Sequence, residues 1–207
     1  VRQLLYTGGT RAIDELVEEG ELHDHPMRNL KPPMVPDPQT RVLSREDLAA
    51  LLATCKTNAR EDRRDLAILT IFIDTGARLS ELATLTLDAI ALDGAATVRV
   101  AGKGRKSRNL PLGKRAVRAL DRYLRVRPDN DTPAVWLGAK GPLTASGIYQ
   151  MLKLRCRQAG IAESHPHVLR HTFCHLWLAA GGSDTDLMSI AGWRTRSMLD
   201  RYGSIAR

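Results

Sequence analysis

Four prolines fall within the eight positions from Lys31 to Pro38 (KPPMVPDP). Proline fixes φ and has no amide donor, so such a run joins neither a helix nor a sheet ladder and acts as a semi-rigid spacer. It divides the 207-residue chain. Residues 31–39 form a linker and residues 40–207 a main domain, long enough to bury a core without a disulfide or metal staple. Residues 1–30 hold one amphipathic stretch, Arg11 to Glu19 (RAIDELVEE), closed by Gly20. This segment reads as the end of a helical domain that lies mostly upstream.

Within the main domain, caps and breakers set out a mostly helical order. Ser44, with Glu46 and Asp47 behind it, opens a helix running to about Lys56. An apolar helix from Asp62 to Thr75 stops at Gly76, and another follows at once from Leu79 to about Leu85. Residues 97–101 (TVRVA) alternate as a strand, Gly102 to Lys106 turn, and Arg108 to Leu112 return, which predicts a hairpin with a basic tip. Lys114 to Arg127 follows as a basic amphipathic helix. Thr144 caps a helix that ends at Gly160, and Pro166 opens one that runs to about Ala180. Ser183 with Asp186 starts a short helix to Ala191, and a last one covers Ser197 to Tyr202. The expected fold is mainly α with a small antiparallel β-sheet (α+β).

The longest apolar run, Leu66 to Ile73, is too short to span a bilayer, so no membrane partner is expected. The N-terminus lacks the basic, apolar and small-residue succession of a signal peptide. Three cysteines (Cys55, Cys156 and Cys174) are too few for a disulfide framework and suit a reducing compartment. The chain carries 31 Lys and Arg against 23 Asp and Glu, a net charge of +8. Between Arg99 and Arg127 eleven basic residues meet a single acid, Asp121, so a net +10 lies in 29 positions and the rest of the chain is close to neutral. A stripe of this kind is the footprint of phosphate-backbone contact. Its candidate DNA-binding residues are Arg99, Arg105, Lys106, Arg108, Lys114 and Arg115.

Several residues carry possible chemistry. His167 and Arg170 stand at i and i+3 and share a helix face, and an imidazole beside a guanidinium suits an oxyanion or a phosphate. His165, His167, His171 and Cys174 or His175 invite a metal reading, but Arg170 in their midst would repel a cation, so no metal is expected. Arg78 follows the Gly76 break at the head of the next helix, where backbone amides favour an anion; it could equally pair with Glu81 on a surface. Lys103 sits between Gly102 and Gly104 at the hairpin tip. Trp193 follows Gly192, and Tyr202 comes nine positions later.

In this order the segments TGARLSEL, strand-GKGRK-strand, HPHVLRHTF and AGW, with Tyr202 nine residues beyond the Trp, resemble the tyrosine recombinases, the phage integrase and Xer-like group. The resemblance covers about residues 40–207, the catalytic domain, and implies the tyrosine recombinase catalytic-domain fold. Residues 1–30 then correspond to the C-terminal remnant of an N-terminal core-binding domain. The implied activity is site-specific cleavage and rejoining of double-stranded DNA through a 3′-phosphotyrosyl intermediate, with neither ATP nor any cofactor. By the same resemblance Tyr202 is the nucleophile, and Arg78 and Arg170 hold the non-bridging phosphate oxygens. Lys103 protonates the leaving 5′-oxygen, and His167 assists proton transfer. Trp193, standing where most members have His, stabilises and packs; its indole N–H can donate but cannot exchange a proton. Glu81 and His171 support the site. The implied partners are the DNA site and further copies of the chain, a homo-tetramer on synapsed DNA and a monomer when free, in the cytoplasm of a bacterium or phage-infected host, at the nucleoid. Only five residues follow Tyr202, so cyclic assembly through a C-terminal tail is not expected of this chain. The alternatives are a catalytically silent DNA-binding module of the same fold and a type IB topoisomerase-like relaxing activity.

Overall fold

The computed structural model describes residues 41–101, 107–193 and 195–199. The N-terminal stretch, the Pro-rich linker, Lys103, Arg105, Lys106 and Tyr202 lie outside the described residues.

The described part is built around one apolar helix. α1 (Arg45–Ala53) begins with a reciprocal cap, in which Ser44 Oγ accepts the Asp47 N–H and Asp47 accepts the Ser44 N–H. α2 (Arg60–Thr75) carries Ala67, Ile68, Leu69, Ile71 and Phe72, all fully buried. Apolar side chains on more than one face require neighbours on more than one side, and α2 packs against α1, the basic helix at Lys114–Leu124 and the later helix at Pro166–Ala179. Gly76 ends α2 in the left-handed conformation, φ +57°, which glycine adopts without a Cβ penalty. α3 (Leu79–Ala83) starts three residues after Gly76.

A short 3₁₀ turn (Leu87–Ala89) leads into β1 (Ile90–Ala91), β2 (Thr97–Ala101) and β3 (Ser107–Pro111), an antiparallel sheet in the order β1-β2-β3. The register sets Arg99 opposite Asn109 and Val100 opposite Arg108. Val98, Val100 and Leu110 point into the core while Arg99 and Asn109 face out. β3 starts one residue before the position that the alternation suggests.

α4 (Lys114–Leu124) buries Ala116, Ala119, Leu120 and Tyr123 and turns its basic residues outward. After it, a small hairpin of β4 (Leu137–Gly138) and β5 (Gly141–Pro142) is seated by the hydrogen bonds of two aromatic side chains. Tyr123 Oη donates to the Val135 carbonyl and accepts the Leu137 N–H, both at 3.0 Å, and Trp136 Nε1 donates to the Leu82 carbonyl at 2.8 Å. α5 (Ala145–Gln158), capped by Thr144, α6 (Pro166–Ala179) and α7 (Asp184–Ala191), capped by Ser183, complete the domain. A further helical turn covers residues 196–199.

Arg155 of α5 is pinned to α2 from inside. Its Nη2 lies 2.6 Å from Asp65 Oδ2 and 2.7 Å from Asp62 Oδ1, and Arg64 closes on the other Asp65 oxygen at 2.7 Å. All three bonds are buried or nearly so, where charges persist only when paired and hydrogen-bonded.

Candidate active site

Five of the expected residues are brought together around the C-terminal ends of α2 and α7. Arg170 lies on the buried face of α6, one turn before Phe173 and Cys174, and is itself only 3% exposed. Its Nη1 donates to the Gly76 carbonyl at 2.8 Å and its Nη2 to the Ala191 carbonyl at 2.7 Å. These carbonyls end two helices, α2 and α7, each closed by a left-handed glycine, Gly76 or Gly192 (φ +67°). The last carbonyls of a helix have no partner within it and carry partial negative charge, which favours a cation there. Two helix ends therefore replace water around a buried guanidinium. It lies over the Trp193 ring, with Cζ 5.5 Å from the ring centroid. Trp193 is itself buried at the turn after α7.

Arg78 is the N-cap of α3 and lies two residues beyond the carbonyl that holds Arg170. Its backbone N–H donates to Glu81 Oε2 at 2.8 Å, and its Nη1 to Glu81 Oε1 at 2.9 Å. The side chain is still 42% exposed, so the guanidinium keeps donors for a ligand. Glu81 is 3% exposed. Burial pushes its carboxyl up, but Arg108 and Arg78 outweigh that and hold it below the ordinary carboxylate range, ionised at neutral pH.

His167 is exposed at the start of α6, with its ring edge-on to that of His171 at 5.2 Å between centroids. Burial of part of the ring, then Arg170, then Arg78, lower its pKa below the usual imidazole value. His167 is thus neutral at neutral pH and can accept a proton. Cys174, one of the alternative metal candidates, is buried, and burial pushes its thiol up to about 12, so it is protonated there.

Among the described residues, the basic stripe does not form one surface. Arg99, on the outer face of β2, and Lys114 and Arg115, in the first turn of α4, are exposed; Arg99 makes a surface pair with Asp88 at 3.2 Å. Arg108 departs from the expectation of a DNA contact. It is turned inward, with Nη1 and Nη2 on the two Glu81 oxygens at 2.7 and 2.9 Å and Nε on the Ile190 carbonyl at 2.7 Å. Arg127 likewise donates to the carbonyls of Thr132, Ala134 and Val135 and organises its own loop. Strand period gave the signal that charge counting missed: Arg108 shares a face with the buried Leu110.

A model of the phage integrase family matches residues 41–207. The chain is 36% identical over 184 residues to the tyrosine recombinase XerC of Pseudomonas aeruginosa, which covers 86% of this chain and 59% of the relative. It is 30% identical over 200 residues to XerD of Listeria innocua, 93% of this chain and 67% of that one. The chain therefore spans about three fifths of the length of the XerC relatives it matches. Among solved structures, the XerA recombinase superposes with a TM-score of 0.69 at 28% identity, covering 78% of this chain and 59% of that chain. The Tn1549 transposon integrase in complex with circular intermediate DNA superposes with a TM-score of 0.73 over 93% of this chain and 71% of that one, at 19% identity, a likeness of fold.

Proposed function

The chain belongs to the phage integrase family, and on that premise we propose that it cleaves and rejoins double-stranded DNA at a specific site through a 3′-phosphotyrosyl intermediate on Tyr202. The observation that carries this is the pairing of Arg78 and Arg170 across one helix break. One guanidinium is held by two helix ends and the other by a buried carboxylate, with a neutral His167 beside them.

In the first step Tyr202 Oη attacks the scissile phosphorus, the bond to the 5′-oxygen breaks, and that oxygen takes a proton from Lys103. In the second, a 5′-hydroxyl attacks the phosphotyrosyl phosphorus and Tyr202 leaves. Both bonds are phosphoesters, so the exchange needs no external energy. Covalent catalysis divides one exchange into two displacements. Negative charge builds on the non-bridging oxygens, and donors fixed in advance stabilise it at little reorganisation cost. Arg78 and Arg170 supply those donors. His167, kept neutral, accepts the Tyr202 proton, which a phenol of pKa about 10 does not give up unaided. Trp193 packs against Arg170 and stabilises the site. Glu81 and His171 support Arg78 and His167.

Residues 40–207 act as the catalytic domain, with residues 1–30 the end of a preceding core-binding domain and 31–39 the link. Arg99, Lys114 and Arg115, with Arg105 and Lys106, contact the phosphate backbone. Four copies assemble on two synapsed sites, in the bacterial cytoplasm; no helix among the described residues is long and apolar enough to cross a membrane.

Duplexes nicked beside the scissile position lose the short leaving strand and trap the covalent intermediate. A panel of such duplexes with randomised arms should yield protein–DNA adducts with the intact enzyme and none with Tyr202→Phe. Adducts that survive Tyr202→Phe would overturn the nucleophile. Salt-sensitive DNA binding without any adduct would identify a silent binding module, and relaxation of supercoiled plasmid at random positions a topoisomerase-like activity.

A further inference from the structure

Arg108 lies in the basic stripe but touches Glu81, which holds Arg78, and the end of α7, which holds Arg170. We propose that Arg108 is a positioning residue of the recombination reaction: it locks the Glu81 carboxylate, and through it Arg78, and ties both to the α7 end that holds Arg170. The inference rests on the recombinase activity proposed above.

Each Glu81 oxygen receives two donors. Oε1 takes Arg78 Nη1 and Arg108 Nη1, and Oε2 takes the Arg78 N–H and Arg108 Nη2. A bidentate guanidinium fixes the plane of a carboxylate as well as its place. Without Arg108, a buried Glu81 would have Arg78 as its remaining cation among these contacts. It would then draw Arg78 inward or take up a proton, and either change moves the guanidinium that has to face phosphate. Sharing also sets the charge, because two guanidiniums on one carboxylate leave one net positive charge on this group.

The third contact of Arg108 makes it a bridge. Nε donates to the Ile190 carbonyl, one residue before the Ala191 carbonyl that anchors Arg170 and three before Trp193. Gly192 makes room for it: a Cβ there would stand 3.2 Å from Arg108 Cζ, and the local φ is +67°. With a side chain only 15% exposed, Arg108 is poorly placed to meet DNA itself.

The test uses a nicked duplex recovered from the trapping panel. Arg108→Gln should bind this DNA as tightly as the parent enzyme and with the same salt slope. Its cleavage rate at saturating DNA should fall by about 100-fold, the loss expected when a positioned group shifts by roughly 1 Å. An uncharged methylphosphonate at the scissile position removes the charge that Arg78 offsets, and should narrow the gap between parent and variant at least tenfold. Arg108→Gln combined with Glu81→Gln leaves no unpaired buried carboxylate. The pair should melt close to the parent yet cleave as slowly as Arg108→Gln, and it replaces the single variant if that one does not fold. Cleavage at the parent rate would overturn the proposal. So would weakened binding with a salt slope reduced by about one, the mark of a lost phosphate contact, or an undiminished gap on methylphosphonate. A parent enzyme that forms no adduct would sink the recombinase activity itself, which is a separate outcome.

Discussion

Asp74 Oδ2, at the end of α2, accepts the backbone N–H of Gly113 at 3.0 Å across 39 positions of sequence. Gly113 is the N-cap of α4 and has no side chain to cap with, so a carboxylate from another helix takes that place. Asp74→Ala should lower unfolding free energy by about 1 kcal/mol in urea titration, the ordinary worth of a cap. Burial, the largest cause, raises the Asp74 pKa above the usual carboxylate value. The native state then holds this proton more tightly than the unfolded chain. Stability from this group therefore falls as pH rises from the unfolded value through the raised native one, and the loss is complete above it. Asp74→Asn keeps the acceptor and should remove this pH dependence.

Gly76 is constrained twice. Its φ is +57°, and an added Cβ would come within 2.5 Å of Phe173 Cδ1. Gly76→Ala should cost about 1–2 kcal/mol for the backbone and a further 1–3 kcal/mol for overpacking, read as a lower melting temperature. The same change displaces the carbonyl that holds Arg170, so adduct formation should fall even at temperatures where the variant stays folded.

His167 should titrate below the ordinary imidazole midpoint in an NMR pH series, because burial, Arg170 and Arg78 all disfavour its charged form. Its contribution to stability is therefore present above the unfolded pKa and lost as pH falls through the native one. Cleavage should decline over that same lower window, as the proton acceptor is consumed. Arg78→Gln removes one of the two charges and should move the midpoint upward.

Breaking the ion network under α2 should be severe. Arg155→Met leaves Asp65, 3% exposed, with Arg64 as its remaining guanidinium partner among these bonds. Removal of one partner of a buried pair costs about 3–5 kcal/mol. Chemical denaturation should show that loss, and Arg155→Met with Asp65→Leu should recover part of it.

The sequence marks most helices because their ends are written locally. Ser44, Thr144 and Ser183 cap, Pro166 opens, and Gly76 and Gly192 close. The structure ends several helices two to three residues earlier than the polar tails suggested, as at Ala53 and Leu124. β1 and the β4–β5 hairpin escaped notice because two-residue strands carry no period; they exist through partners such as Tyr123 and Trp136. At the candidate site, helix spacing paired His167 with Arg170 and the Gly76 break singled out Arg78, while the family resemblance added Glu81 and Trp193; the fold gathers these five. The carbonyls of Gly76 and Ala191 could not be found that way, since a backbone oxygen has no letter in the sequence. Arg108 was grouped with the DNA-facing cations because a net charge counts residues without regard to the face each one occupies.

The contact between Arg108 and the glycine-closed end of α7 joins segments 82 positions apart. A hairpin transplanted from a relative would arrive with its own residue at 108 and its own demand on the turn at 190–192. The two stretches work as a matched pair, and chimaeras that cross over between them should lose catalysis while the domain still folds.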